Sequence, residues 1–284
     1  MLSALRWAPK NSFSHLVGWL SRRHVPTRLR APIYRSFARA VGADLDEIDG
    51  PLSQFPSFDQ FFTRPHAGGA RPMEGGAETI ISPVDGVASE VGVATGGRLI
   101  QCKGIDYTVS GLLADAQEAR SFEGGAYATL YLAPRNYHRV HAPLTGSVIG
   151  YHHIPGALYP VNRSSVERVP GLFSVNERLI TYLDTTVGRV AVVMVAAAGV
   201  GHMTLAYERL VHTHAFGRRG RTGSLQRYAV PPRLQRGEEL GTFHLGSTVI
   251  LLFAPGKVHL EVAYGDGLRL GQAIGQLLSA EAAA

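Results

Sequence analysis

The sequence predicts an α+β protein: amphipathic helices over residues 1–70, then a mainly antiparallel β body of barrel or sandwich type over 71–284. Three observations carry this. Before residue 70, apolar residues recur at helical spacing between prolines. After Arg71, glycine becomes frequent and short β-type runs alternate with turns. The 284 residues are 45% hydrophobic, enough for one large or two small domains with a sizeable core.

In the N-terminal segment Phe13, Leu16, Val17 and Leu20 form one helical stripe with Trp19 beside it. Ile33, Tyr34, Phe37 and Val41 form a second, and Phe58, Phe61 and Phe62 a short third. Breaks are expected near Pro26, Pro32, Pro51 and Pro56. Residues 1–43 carry eight arginines and lysines and no acid, while the whole chain nets only +6, so the basic charge belongs to one end. Arginines flanking Trp, Phe and Leu describe helices lying on an anionic lipid surface, or faces packed on the body. A nucleic-acid arm is disfavoured, because the apolar stripes are too rich for a phosphate-tracking tail.

Strands are expected at Gly86–Val93, Ala126–Leu132, Gly146–Tyr151, Arg178–Leu183 and Val190–Val200, and one short helix around Leu112, Leu113 and Ala116. The stretch 217–223 reads as an exposed basic loop. Cys102 is the single cysteine, which rules out an internal disulfide and fits a reducing compartment. The longest apolar run, Val190–Gly201, is too short to cross a bilayer as a helix. Arg6, Trp7 and Lys10 interrupt any secretory signal core.

Three stretches carry possible chemistry. In Leu245-Gly246-Ser247-Thr248 a turn feeds the apolar run Val249–Phe253. Gly246 lacks a Cβ, so its carbonyl is open to close approach by a neighbouring hydroxyl. An ordinary turn before a buried strand reads the same way. Ser82-Pro83-Val84-Asp85-Gly86 places a carboxylate at a turn. Tyr131–Pro143 holds His138 and His141 three residues apart, as a metal pair, as surface residues or as catalytic bases.

Asp85, His141 and Ser247 are together a carboxylate, an imidazole and a hydroxyl. With the Leu-Gly-Ser-Thr motif, this set resembles the phosphatidylserine decarboxylases, pyruvoyl enzymes that cut themselves at that motif. The resemblance also runs, in order, through Phe58–Arg64, Ser82–Gly86, Tyr131–Pro143, Tyr159–Asn162, Leu172–Ile180 and Gly237–Gly256. It covers most of 58–260. Residues 1–57 match in character more than in letters, and 205–235 fit poorly.

The resemblance implies conversion of phosphatidylserine to phosphatidylethanolamine and CO2 through a Schiff base on a pyruvoyl group made from Ser247. It implies cleavage between Gly246 and Ser247, giving a β chain 1–246 and an α chain 247–284 that stay associated. Asp85, His141 and Ser247 are then the self-cleavage triad, with Asp85 holding the His141 imidazole, and His138 is the proton donor in decarboxylation. It further implies no resident metal and no nucleic-acid partner. The enzyme would sit peripherally on the cytoplasmic side of an inner membrane, as a possible dimer of two-chain units. Two other readings compete: a lipid-binding module that never matures, and a metal-dependent hydrolase using His138, His141 and Asp85.

Overall fold

The apolar run after Ser247 becomes the strand Ser247–Pro255, and the rest of the body is built on it. In the computed structural model the described residues are 17–198, 202–209, 211, 213, 223–244 and 247–278, with Ser247 described by its backbone alone. The strand pairs antiparallel with Gly188–Ala196 on one side and Gly125–Leu132 on the other. Alternate residues enter different cores. Val249, Leu251 and Phe253 share one apolar cluster with Val190, Val192, Met194, Ala128 and Leu130. Ile250 and Leu252 join the opposite one with Ala191, Val193, Val195 and Tyr127. Burial on both faces is why the sequence reads as an uninterrupted apolar run rather than an alternating one.

Outward from this pair of neighbours the nine-stranded sheet continues through Arg178–Thr185, Gly146–Ile154 and Ser224–Arg227 at one end, with Arg233–Leu234 also paired to Gly146–Ile154. At the other end it continues through Gly86–Val93 and Gly267–Leu268. The path is open, so of the two β forms left by the sequence the body takes the sandwich-like one. Two three-stranded sheets, 79–81 with 273–277 and 258–260, and 203–205 with 239–243 and 139–141, supply Ile80, Ile274, Val140, Leu240 and Phe243 to the first core. A hairpin and short helices supply Leu99, Tyr107, Leu112 and Phe173 to the second.

Two helix expectations are corrected. Pro32 does not end a helix: Thr27–Val41 runs through it. Pro32 is the sixth residue, just past the first turn, so its ring costs the helix one backbone hydrogen bond without ending it. The single helix around Leu112 is two, Val109–Leu113 and Ala116–Arg120. Ala114 turns left-handed between them, and Asp115 accepts the Gln117 and Glu118 amides as a new N-cap. Of the expected loop at 217–223 all but Gly223 lies outside the described residues, as do the stripe residues Phe13 and Leu16.

The Thr27–Val41 helix uses one face against the body. Tyr34 stacks on Phe61 at 4.5 Å, and Phe37 meets Phe58 edge-on at 4.8 Å. Its other face leaves Leu29 and Ile33 exposed, as Trp19 and Leu20 are in the preceding helical turn. Among the described residues no helix is long and apolar enough to cross a membrane.

Candidate active site

Asp85 ends the Ser82–Asp85 turn, which Ser82 braces by donating its hydroxyl to the Val84 carbonyl at 2.7 Å. Gly86 follows because a Cβ there would lie 2.5 Å from the Tyr131 carbonyl oxygen. The Asp85 carboxylate is buried and fully engaged. It accepts Arg71 Nε at 2.9 Å, Arg71 Nη2 at 2.7 Å and the Leu270 amide at 2.7 Å, with His66 Nε2 at 3.4 Å. Burial pushes its pKa up, but His66, Arg71 and the Leu270 N–H outweigh burial and hold the carboxyl well below the usual range. Arg71 also forks onto Glu47 at 2.7 and 2.6 Å. Glu47, His66 and Asp85 thus converge, with ligand atoms within 4.8 Å of one another, around a guanidinium that supplies the positive charge.

His141 lies in the strand Arg139–His141, and its amide donates to Pro83 O at 2.9 Å, tying it to the Asp85 turn. Its Nδ1–H donates to the Gly237 carbonyl at 2.8 Å, which leaves Nε2 as the lone-pair nitrogen, 3.3 Å from the Tyr137 hydroxyl. Burial lowers its pKa, so the ring is neutral near pH 7. The direct Asp85–His141 bond expected from the sequence is not made. Asp85 is taken by charged and backbone donors, and His141 Nδ1 by a carbonyl. His66 lies between them, with Nε2 3.4 Å from Asp85 and its ring stacked on Tyr137 at 4.0 Å.

His138 is fully buried and stacks on Phe62 at 4.1 Å. Neither ring nitrogen reaches a partner in good hydrogen-bond geometry, although the Pro134 and Ala133 carbonyls lie beside the ring. Burial, and then the Arg64 guanidinium, lower its pKa to about 3, against the pull of the Pro134 and Ala133 carbonyls. The backbone carbonyl of His138 accepts the Phe243 amide at 2.9 Å, so His138 is tied to the strand that leads into the Leu-Gly-Ser-Thr motif.

Ser247 opens the central strand, in register with Leu132 on one side and Ala196 on the other. Leu245 and Gly246 lie outside the described residues. Thr248 is buried with its hydroxyl unpartnered, and it lines a cavity of about 630 Å³ with Tyr131, Val161, Phe173, Lys103 and Arg163. A largely apolar recess with a few polar groups, at the mouth of the motif, is what a small polar head group on an apolar body requires.

Sequence reasoning missed four groups: His66 and Arg71 around Asp85, Tyr137 on His141, and the Asp59–His244 pair. His244 Nδ1 donates to the Asp59 carboxylate at 2.9 and 3.1 Å across 185 positions of chain. Tyr137 was within reach, since it stands inside the block that holds both histidines; the others have no spacing signal, because only the fold brings them together.

The chain matches the family model described as phosphatidylserine decarboxylase over residues 58–276. It is 45% identical over 269 residues to a phosphatidylserine decarboxylase proenzyme of Myxococcus xanthus (strain DK1622), covering 94% of each chain. It is 47% identical over 277 residues to the proenzyme of that name from Anaeromyxobacter sp. (strain K), covering 96% of this chain and 97% of the other. A third, from Acinetobacter baumannii (strain ATCC 17978), is 37% identical over 264 residues, with 93% and 90% covered.

Proposed function

The chain belongs to the phosphatidylserine decarboxylase family, and on that premise we propose that it converts phosphatidylserine to phosphatidylethanolamine with a pyruvoyl group made from its own Ser247. One observation carries the reading. Ser247 is the first residue of a strand paired on both sides, so a chain end created there stays locked in the core. The retained piece would contribute Val249–Phe253, each buried, worth roughly 1.5–3 kcal/mol apiece before ordering entropy.

Self-cleavage follows from the residues present. Ser247 Oγ bonds to the Gly246 carbonyl carbon while the Gly246–Ser247 C–N bond breaks, and the freed nitrogen takes a proton. His141 Nε2 is the base, because Nδ1 is committed to Gly237 and burial keeps the ring neutral. Asp85, with Arg71 and His66, fixes the turn that holds the His141 backbone, through the Pro83 carbonyl. Elimination then removes the Ser247 Cα proton to a base, forms the Cα–Cβ double bond and breaks the Oγ–Cβ bond, with Gly246 leaving as a carboxylate; the resulting enamine tautomerises to an imine. Water replaces the nitrogen, released as ammonia, and leaves the ketone.

The pyruvoyl group supplies a carbonyl that takes up the substrate amine and draws off electrons as CO2 departs. The recess beside Thr248 and Tyr131 receives the head group, with Lys103 and Arg163 as cations for its phosphate. His138 returns a proton to the substrate carbon. An anionic head group brought beside this buried imidazole raises its affinity for the proton it must deliver. Two chains, 1–246 and 247–284, form the working unit.

Access to lipid comes from the exposed face at Trp19, Leu20, Leu29 and Ile33, beside exposed Arg22, Arg23 and Arg28. Each such cation near an anionic surface contributes about 1 kcal/mol. The attachment is peripheral, on the cytoplasmic side of an inner membrane. The test is a pair of variants. Ser247→Ala should stay one inactive chain, and His138→Ala should cut itself normally yet decarboxylate poorly. A two-chain product from Ser247→Ala overturns the cleavage assignment; full turnover by His138→Ala overturns the proton role.

A further inference from the structure

The described chain is held on both sides of the scissile motif. Downstream, Ser247 and Thr248 are held by strands on both sides. Upstream, the Phe243 amide donates to His138 O at 2.9 Å and the His244 amide to His202 O at 3.0 Å. The His244 side chain adds a third hold from a different element. Its Nδ1 donates to both oxygens of Asp59, while Nε2 lies 3.3 Å from Thr204 Oγ1. Asp59 is itself immobilised. It is buried in the Phe58–Phe62 helix, which Ser57 caps and which Phe61 anchors on Tyr34.

We propose that Asp59 and His244 are a positioning pair for self-cleavage, pinning the upstream arm of the scissile segment against the Phe58–Phe62 helix. This rests on the cleavage reading above. His244 and Ser247 are three Cα steps apart, at most about 11 Å of chain, so fixing the backbone at both positions narrows the conformations open to the segment that carries the scissile bond. Reactions between groups held this way gain most from lost freedom already spent in folding. The pair serves the first step, in which the Ser247 oxygen displaces its own amide nitrogen. It has no part in the later elimination, because once the ester has formed Ser247 Oγ is already bonded to the Gly246 carbon.

The test follows self-cleavage of freshly refolded full-length chain by gel and intact mass, with hydroxylamine added at intervals to split any ester. Asp59→Asn keeps the shape and removes the charge. It should slow the appearance of two chains at least tenfold, with whole, hydroxylamine-resistant chain accumulating. His244→Gln should behave alike. His244→Lys, which again offers Asp59 an N–H donor, should recover to within about threefold of the unaltered chain; a general loss of structure would give no such recovery. Three results would overturn the pair's role: Asp59→Asn cut at the unaltered rate, accumulation of hydroxylamine-labile ester, or His244→Lys as slow as His244→Gln. An unaltered chain that is never cut would overturn this and the parent reading together, whereas equal cutting of all variants removes only this one.

Discussion

Leu251→Ala probes whether the strand beginning at Ser247 is the element that holds the cut protein together. Leu251 is fully buried, opposite Val192 on one side and Ala128 on the other, and both neighbours are fully buried too. Leucine-to-alanine changes in cores cost about 2–5 kcal/mol, and the larger costs arise where surroundings cannot collapse. A strand laddered on both flanks cannot shift into the gap, so about 3–5 kcal/mol is expected. For a chain of this size that is a fall of roughly 6–20 °C in unfolding midpoint, at about 2–4 °C per kcal/mol. The assay is thermal unfolding in the Ser247→Ala background, where one uncut chain avoids a mixture of processed forms. Val230→Ala, at 87% exposure, is the control and should move stability by no more than about 0.5 kcal/mol. In the processed protein the same Leu251→Ala change should release the 247–284 piece at lower urea. A cost under about 1 kcal/mol would refute the claim that this strand fastens the two chains.

Other expectations concern charge. The His138 pKa is about 3 in the folded protein against 6.5 for a free imidazole. Burial of the neutral ring is therefore fully compatible with folding above about pH 6.5, and stability drains away as pH falls toward 3. Asp85, held low, contributes above its ordinary carboxylate range and loses that contribution below about pH 4. Urea midpoints of Ser247→Ala should fall from pH 6.5 downward, and His138→Phe should flatten that slope; an unchanged slope contradicts the burial argument. Arg71→Met strips the cation from two carboxylates and should cost about 3–5 kcal/mol by urea unfolding, with a loss under about 1 kcal/mol counting against the cluster. Trp19→Glu with Leu20→Glu should weaken sedimentation with anionic vesicles while self-cleavage proceeds; unchanged sedimentation removes the lipid-facing role.

The strands were legible where both faces are buried or turns are glycine-marked, as at Arg178–Thr185 and Gly188–Ala196. The small sheet joining 139–141 to 239–242 was not, because pairing across about a hundred positions leaves no local period. Leu29 and Tyr34 lie in one helix, yet one faces outward and the other packs on Phe61. Periodicity finds a stripe but not which side of it the body takes. At the site, Asp85, His138, His141 and Ser247 stood in motifs. Arg71 and His66 stand outside them and reach Asp85 only through tertiary contacts, and although Asp59 and His244 lie in matched stretches, their pairing is likewise tertiary. The link between Asp85 and His141 was misjudged for the same reason, since a sequence does not reveal that stronger donors have already filled a carboxylate.

Intact mass of the purified protein, before and after borohydride reduction, bears most directly on the conversion of Ser247. The account expects two chains, the smaller beginning at position 247 without its amino nitrogen and gaining two hydrogens on reduction. A single unbroken chain that still releases CO2 from phosphatidylserine would contradict it, as would a cut chain with an ordinary serine at its start.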